Sequence, residues 1–331
     1  MRAALYRQLG DPSVLQIEEI PTPEPGPGQV RVRILCSGVN PTDWKSRSGL
    51  TAGPPHEFQV PHQDGAGLVD AVGPGVTDRH PGQRVWVYLA AANNRYGTAA
   101  EYCLVPQERT VPLPEHASFE LGASLGVPAL TAAHCLGGDP TALAGATVLV
   151  AGGAGAVGHA AIELARHAGA RVVATVSTEQ KAELARQAGA DAVVFYRAPD
   201  ALEQLRAAAP AVDRVVELAL GANLDLDLAV SHSGTIIAVY ANEPTDPVLP
   251  VRRLMTANVR LHFVLLYGVR PEELAVAREW VRRAVDDRAL STLPLHRYPL
   301  EQVAEAQRAV EAGVVGKVLV LPDPAALASS A

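Results

Sequence analysis

The segment with the plainest chemical consequence is AGGAGAVG, residues 151–158, which follows the apolar run TVLV and precedes the amphipathic pattern HAAIELARHAGA. Its glycines at 152, 155 and 158 read G-x-x-G-x-x-G. A strand, a tight turn and a helix in that order bring backbone close to a pyrophosphate while the free N–H groups of the helix start face its negative charge. Glycines that merely pack a helix produce the same spacing, but the complete strand, turn and helix unit predicts dinucleotide binding. The type of dinucleotide is decided at the end of the second strand, about 20 residues on, where an NAD site places Asp or Glu. This chain reads Ala174-Thr175-Val176-Ser177 there, with Lys181 one helical turn later. A hydroxyl and an ammonium suit a 2′-phosphate that a carboxylate would repel, so NADP(H) is the expected cofactor. Tyr196, at the end of the third strand, either closes the same pocket or only packs there. Lysine is scarce in this chain: among 28 basic residues only Lys45, Lys181 and Lys317 are Lys, which draws attention to all three.

The elements that must hold these residues follow from texture. A length of 331 residues predicts about two domains, and 48% hydrophobic with 19% charged residues excludes a disordered chain. As far as about Val111, short Val-, Ile- and Leu-rich runs cut by Pro and Gly (30–35, 67–72, 84–89, 101–105) predict a β-rich unit. From about Leu121, strands alternate with Ala-rich helices, which predicts a parallel sheet covered on both faces. An apolar run at 259–266, a helix over 271–287 and a strand over 318–321 follow, and the end, from Pro322 through ALASSA, reads as a loose tail. The expected fold is α/β, with a cleft between two domains as the default site. A net charge of −7 argues against nucleic acid as the primary partner. No signal peptide is read at the N-terminus, and the apolar stretch 146–165 is broken by glycines, a His and a Glu, so no membrane partner is expected. Three widely spaced cysteines suit a reducing, cytoplasmic setting.

The order of β-rich domain, Rossmann unit and return to the first domain resembles the medium-chain dehydrogenase/reductase superfamily. Within it the chain is similar to the zinc-free quinone oxidoreductases, the zeta-crystallin branch in particular. Stretches carrying the resemblance include SGVNPTDWKSRSG (37–49), DGAGLVDAVGPGV (64–76), LGVPALTAAHCL (125–136), ELALGANLDLDL (217–228) and PLEQVAEAQ with GKVLVL (299–321). The resemblance implies a GroES-like β-rich catalytic domain over 1–124 and 268–331, and a Rossmann doubly wound parallel sheet over 125–267 that binds NADP(H). It implies that Ala154, Gly155, Ala156 and Val157 hold the pyrophosphate, and that Ser177, Lys181 and Tyr196 meet the 2′-phosphate. Asn223 matches a nucleotide-contacting Asn. Val239, Tyr240, Ala241 and Asn242, with Phe263, Val264 and Leu265, match two backbone segments facing the nicotinamide end. Thr131 either helps orient that ring or is a helix-start hydroxyl. Lys45 falls near the cofactor at a position usually filled by Tyr, and Lys317 lies in the terminal Gly-Lys.

Zinc alcohol dehydrogenases of the superfamily have a Cys ligand where this chain has Asn40, and Gly-His-Glu where it has His62-Gln63-Asp64. Neutral amides at both ligand positions do not supply the donors that catalytic zinc needs, so no metal is expected, and His62 reads as packing or substrate contact. The chemistry left is hydride delivery from the cofactor to a quinone or an α,β-unsaturated carbonyl, with the protein supplying orientation and a dry cleft. Asn40 either holds the acceptor oxygen or the nicotinamide ribose, or makes an Asx-type turn before Pro41. Solvent or Lys45 would provide the proton. Two other readings stand beside this one: an enoyl-thioester reductase, and an NADPH-binding crystallin or RNA-binding-like protein with little catalysis. A homodimer or homotetramer through the run 259–266 is the expected assembly.

Overall fold

The computed structural model describes residues 1–51, 53, 55, 57–243 and 245–329. The chain opens with strands β1 (Arg2–Leu5), β2 (Gln16–Glu19) and β3 (Gln29–Val39), helix α1 (Pro41–Ser48), strands β4 (Asp64–Val72), β5 (Arg84–Val87), β6 (Tyr102–Pro106) and β7 (Thr110–Pro112), and helix α2 (Phe119–Cys135). An alternating series follows: β8 (Thr147–Ala151), α3 (Ala156–His167), β9 (Arg171–Val176), α4 (Glu179–Gln187), β10 (Ala192–Phe195), α5 (Ala201–Ala208), β11 (Val212–Glu217), α6 (Leu220–Val230), β12 (Ser231–Val239), α7 (Val251–Ala257), β13 (Arg260–Phe263) and α8 (Pro271–Asp286). The chain closes with β14 (Leu295–Pro299), α9 (Val303–Glu311), β15 (Lys317–Leu321) and α10 (Pro324–Ser329). Two compact units result, Met1–Val127 with Pro294–Ala331, and Pro128–Leu293.

The first unit is built on a sheet of order β14-β15-β3-β4-β5-β7, with β6 also paired to β3. β3 is its spine: Val30, Val32 and Ile34 point into the core, while its far end pairs antiparallel with β15, Val39 opposite Val318. A second apolar cluster joins Ala3 and Leu5 of β1 to Leu300, Val303, Ala306, Val318 and Val320. The last stretch of chain is therefore core material for the first unit.

The second unit is an all-parallel sheet of order β10-β9-β8-β11-β12-β13, so the direction of winding reverses between β8 and β11. Helices on both faces bury near-continuous apolar runs such as Val148-Leu149-Val150 and Val172-Val173-Ala174, as a two-sided parallel sheet requires. Gly152 turns the chain after β8 with φ +68, and Gly158 lets α3 settle on that turn, since a Cβ there would lie 2.3 Å from the Gly152 carbonyl oxygen.

Three differences from the sequence reading have physical causes. Residues 268–293 belong to the second unit, not the first, because Glu163 of α3 accepts the Ser291 N–H at 3.1 Å and His167 pairs with Asp287 at 3.0 Å. The expected loose tail is helical over Pro324–Ser329, since Asp323 caps it by accepting the N–H groups of Ala325 and Ala326, and Pro324 suits a first helical position. Thr131 lies well inside α2 and is buried, so it is no helix-start residue.

Gly158→Ala is expected to lower the unfolding free energy by about 1–3 kcal/mol, measured by urea denaturation, because α3 must move off the turn to admit a methyl group.

Candidate functional site

In the second unit the glycine turn is laced to its neighbour: the N–H groups of Gly152 and Gly153 both donate to Thr175 O, at 3.0 and 3.1 Å. Gly155 is the N-cap of α3, so Ala156 and Val157 open the helix, and the first N–H groups of a helix have no partner within it. Ala154 is buried beside them. At the end of β9 the Lys181 ammonium lies 3.2 Å from the Ser177 hydroxyl, and Thr178 caps α4 by accepting the Lys181 N–H. Tyr196 follows β10 and donates its N–H to Val176 O at 3.2 Å, which brings it beside Ser177. The structure thus gathers Ser177, Lys181 and Tyr196 at one end of two adjacent strands. Arg197, which the sequence reading passed over, adds a second cation there, its guanidinium 5.5 Å from the Tyr196 ring centre.

Further along the same sheet edge, Tyr240 donates its N–H to Glu217 O at 3.0 Å and Val264 to Val239 O at 2.8 Å. These bonds gather the ends of β11, β12 and β13, with Ala241 and Asn242 continuing from β12. Val264 points inward while Phe263 and Leu265 are exposed. Asn223 donates its amide to Glu217 Oε1 at 2.9 Å. Glu217 and Asp227 are both buried, and Glu217 Oε2 and Asp227 Oδ2 have no hydrogen-bond partner. Burial raises both carboxyls, and the neighbouring Glu217 adds to the rise of Asp227. Neither acid was singled out from sequence.

The first unit holds a longer buried array. Lys317 Nζ donates to Asn40 Oδ1 at 2.8 Å, Asn40 Nδ2 donates to Asp64 Oδ2 at 2.6 Å, and Asp64 Oδ1 accepts the Val127 N–H at 2.8 Å. Asn40 thus holds a cation and a carboxylate together through the two ends of its amide. Lys317 is enclosed, 3% exposed, so the structure places it inside this unit and not on a surface that a cofactor could touch. Lys45 is half-buried on α1.

Beside this bridge runs a directional chain. Arg47 Nε donates to Gln307 Oε1 at 2.7 Å, and Gln307 Nε2 lies 3.2 Å from His62 Nε2. Because the amide nitrogen can only donate, His62 Nε2 accepts and its Nδ1–H must donate to Ser37 Oγ at 2.9 Å. Ser37 then donates to Thr98 Oγ1 at 2.8 Å, and Thr98 to Asp64 O at 2.5 Å. This order requires a neutral imidazole. Burial, helped by the Lys317 charge, lowers His62 to about 3 and keeps it so. His62 also sits at φ 77, a left-handed backbone that a β-carbon opposes.

Two family profiles match the chain: "Alcohol dehydrogenase GroES-like domain" over residues 26–115 and "Zinc-binding dehydrogenase" over 156–283. The quinone oxidoreductase of Rattus norvegicus is 30% identical over 326 residues, covering 97% of this chain and 98% of that protein. The chain belongs to the quinone oxidoreductase family of the medium-chain dehydrogenases/reductases. Among solved structures, an NAD-dependent alcohol dehydrogenase superposes with TM-score 0.86 at 28% identity, covering 98% of this chain and all of that one. Escherichia coli quinone oxidoreductase complexed with NADPH superposes with TM-score 0.82 at 25% identity, covering 97% and 100%.

The two ring hydrogen bonds of His62 offset the cost of its left-handed backbone. Next to it, Gln63 Oε1 accepts the Ala91 N–H at 3.1 Å. Among the described residues no group of three His, Cys, Asp or Glu side chains is placed to hold a metal ion.

Asn40→Ala strips a hydrogen bond from each of two buried charges and is expected to cost about 3 kcal/mol of stability, read from urea unfolding. His62 contributes stability that is complete above the ordinary pKa of 6.5 and lost as pH falls towards about 3. His62→Asn, which tolerates the left-handed backbone, should therefore fall furthest below wild type near pH 7, and the gap should narrow near pH 4.

Proposed function

We propose that the protein is a zinc-independent, NADPH-dependent reductase that passes a hydride to a quinone or an α,β-unsaturated carbonyl. The observation that carries the choice of NADPH is the Ser177–Lys181 pair, 3.2 Å apart at the end of β9 where an NAD site would have an acid. The residues fit the phosphorylated cofactor: the half-buried ammonium, the hydroxyl and the adjacent Arg197 offer donors and positive charge, and no carboxylate opposes a 2′-phosphate at the strand end. The bound cofactor supplies the hydride and the two electrons.

The backbone of Ala154, Gly155, Ala156 and Val157 would cradle the pyrophosphate at the start of α3, with Ser177, Lys181 and Tyr196 on the 2′-phosphate. Asn223, oriented by Glu217, offers its carbonyl oxygen to the nucleotide. Tyr240, Ala241, Asn242 and Val264 present backbone at the nicotinamide end, and Thr131 a hydroxyl. The second unit thus carries the residues that would hold the dinucleotide. Support for zinc-independence comes from amides at both ligand positions and from Asn40 being occupied by Asp64 and Lys317. The unpaired edge of β13, with Phe263 and Leu265 exposed beside it, supports assembly into a dimer or tetramer. Three free, buried cysteines suit a reducing cytoplasm.

The test is loss of NADPH absorbance with a panel of quinones and enones. Lys181→Ala should weaken NADPH by about tenfold or more while NADH changes little, as removal of one charge-assisted contact to phosphate predicts. Equal weakening of both cofactors counts against the assignment. Dialysis against a chelator should leave turnover unchanged, and a loss restored by zinc would overturn zinc-independence.

A further inference from the structure

One acid in the first unit is only half used. Asp43, in the first turn of α1, accepts the Asn40 N–H on Oδ2 at 2.7 Å, which anchors the helix start. Its other oxygen, Oδ1, is buried without a hydrogen-bond partner, and the residue is 4% exposed. That carboxyl lines a cavity of about 100 Å³ together with Tyr6, Ser46, His62 and Gln63. A volume of this size holds about three water molecules, or the polar end of a larger ligand, but not a whole quinone ring. A buried carboxyl oxygen with no partner is costly unless it carries a proton or meets a ligand.

We propose that Asp43 is the acid of the reduction, its free oxygen holding a proton that it donates to the carbonyl oxygen of an acceptor whose polar end enters this cavity. The proposal rests on the reductase reading above. In the step, a hydride from NADPH adds to the β-carbon of the conjugated carbonyl, the C=C and C=O electron pairs shift towards oxygen, and the Asp43 proton goes to that oxygen. The products are an enol and the oxidised nicotinamide, and water reprotonates the Asp43 carboxylate. A neutral acid suits a neutral carbonyl.

The surrounding charges keep the proton in place through neutral pH. Burial, reinforced by the Asp64 carboxylate, raises Asp43 to about 8, against the opposing pull of the Asn40 and Gln63 backbone amides and of Lys317. Tyr6, raised to about 12 chiefly by burial, stays neutral, and so does His62. Arg47 directs its guanidinium to Gln307 and Gly10, and Lys317 is engaged by Asn40.

Asp43→Asn keeps the cap and a hydrogen-bond donor but has no proton to transfer. Its kcat should fall about 100-fold with the acceptor KM little changed, and the alkaline fall in wild-type kcat near pH 8 should disappear. NADPH binding, followed by cofactor fluorescence, should be unaltered. Without cofactor or acceptor, a carboxyl with a raised pKa contributes stability that is complete at low pH and lost as pH rises towards about 8. Urea unfolding of wild type should therefore lose ground to Asp43→Asn between about pH 4 and pH 8, and a constant difference would show that Asp43 is already ionised and overturn the proposal. An active wild type with Asp43→Asn equal to it in kcat and in alkaline limb overturns this step alone. A wild type that oxidises NADPH with no conjugated carbonyl overturns the reductase reading and this step with it. Should Asp43→Asn fail to fold, Asp43→Glu, which retains the proton, must keep the alkaline limb, and its loss would count against the proposal.

Discussion

A lysine ammonium and an aspartate carboxylate lie buried on either side of one asparagine amide, and the first unit is organised around that bridge. Lys317 is 277 residues from Asn40 in the chain, and it is brought there by the pairing of β15 with the end of β3, Val318 opposite Val39. An ammonium leaves water only where acceptors wait for it, and a carboxylate only where donors do. Asn40 meets both needs at once, accepting through Oδ1 and donating through Nδ2. The polar requirement and the apolar one point the same way, since Val318 and Val320 on the same strand enter the core cluster that holds β1. The unit is thus completed by the segment that returns after the whole second unit has been traced.

The bridge also determines the state of the groups beside it. Burial and the Asp64 carboxylate of the bridge raise Asp43 to about 8, against the opposing pull of Lys317. The same positive charge adds to the burial that keeps His62 neutral, and a neutral His62 is what the chain from Arg47 to Asp64 needs in order to run in one direction. Protonation of His62 Nε2 would set N–H against the Gln307 amide. Burial first, with Asp64 acting on one group and Lys317 on the other, thus leaves one acid protonated and one base unprotonated within the same cluster.

What could be read from the sequence was local. The glycine turn, the missing acid at the end of β9 and Lys181 one turn later are neighbours along the chain, so their spacing carries their geometry, and the strand and helix rhythm of the second unit follows the same logic. Asp43 was also within reach, because Asn40 and Asp43 stand three residues apart before a helix, the pattern of a capping pair. The bridge itself was not legible: nothing about residue 317 announces that it meets residue 40. The Glu217–Asp227 pair spans a strand end and a helix, and neither acid stands out in a chain with 35 acidic residues. Alanine-rich ends deceive as well, since the tail helix depends on Asp323 as its cap more than on its own composition.

The scarcity of lysine has a physical account at two of its three positions. Where the chain buries a guanidinium, as at Arg47, the planar group spreads its donors over Gln307, the Gly10 carbonyl and, at 3.7 Å, Glu311. Lys317 has one oxygen to reach, and a compact ammonium is satisfied with fewer acceptors than a five-donor fork, so Arg in that space would leave N–H groups buried and unpaired. At Lys181 the argument is reach and shape: a flexible point charge can lie against Ser177 and still turn towards a phosphate, whereas a guanidinium would seek a bidentate partner such as Glu179, which Arg186 already engages. Lys45, half-buried on α1, has no such constraint around it, and the structure gives no reason for Lys there in preference to Arg.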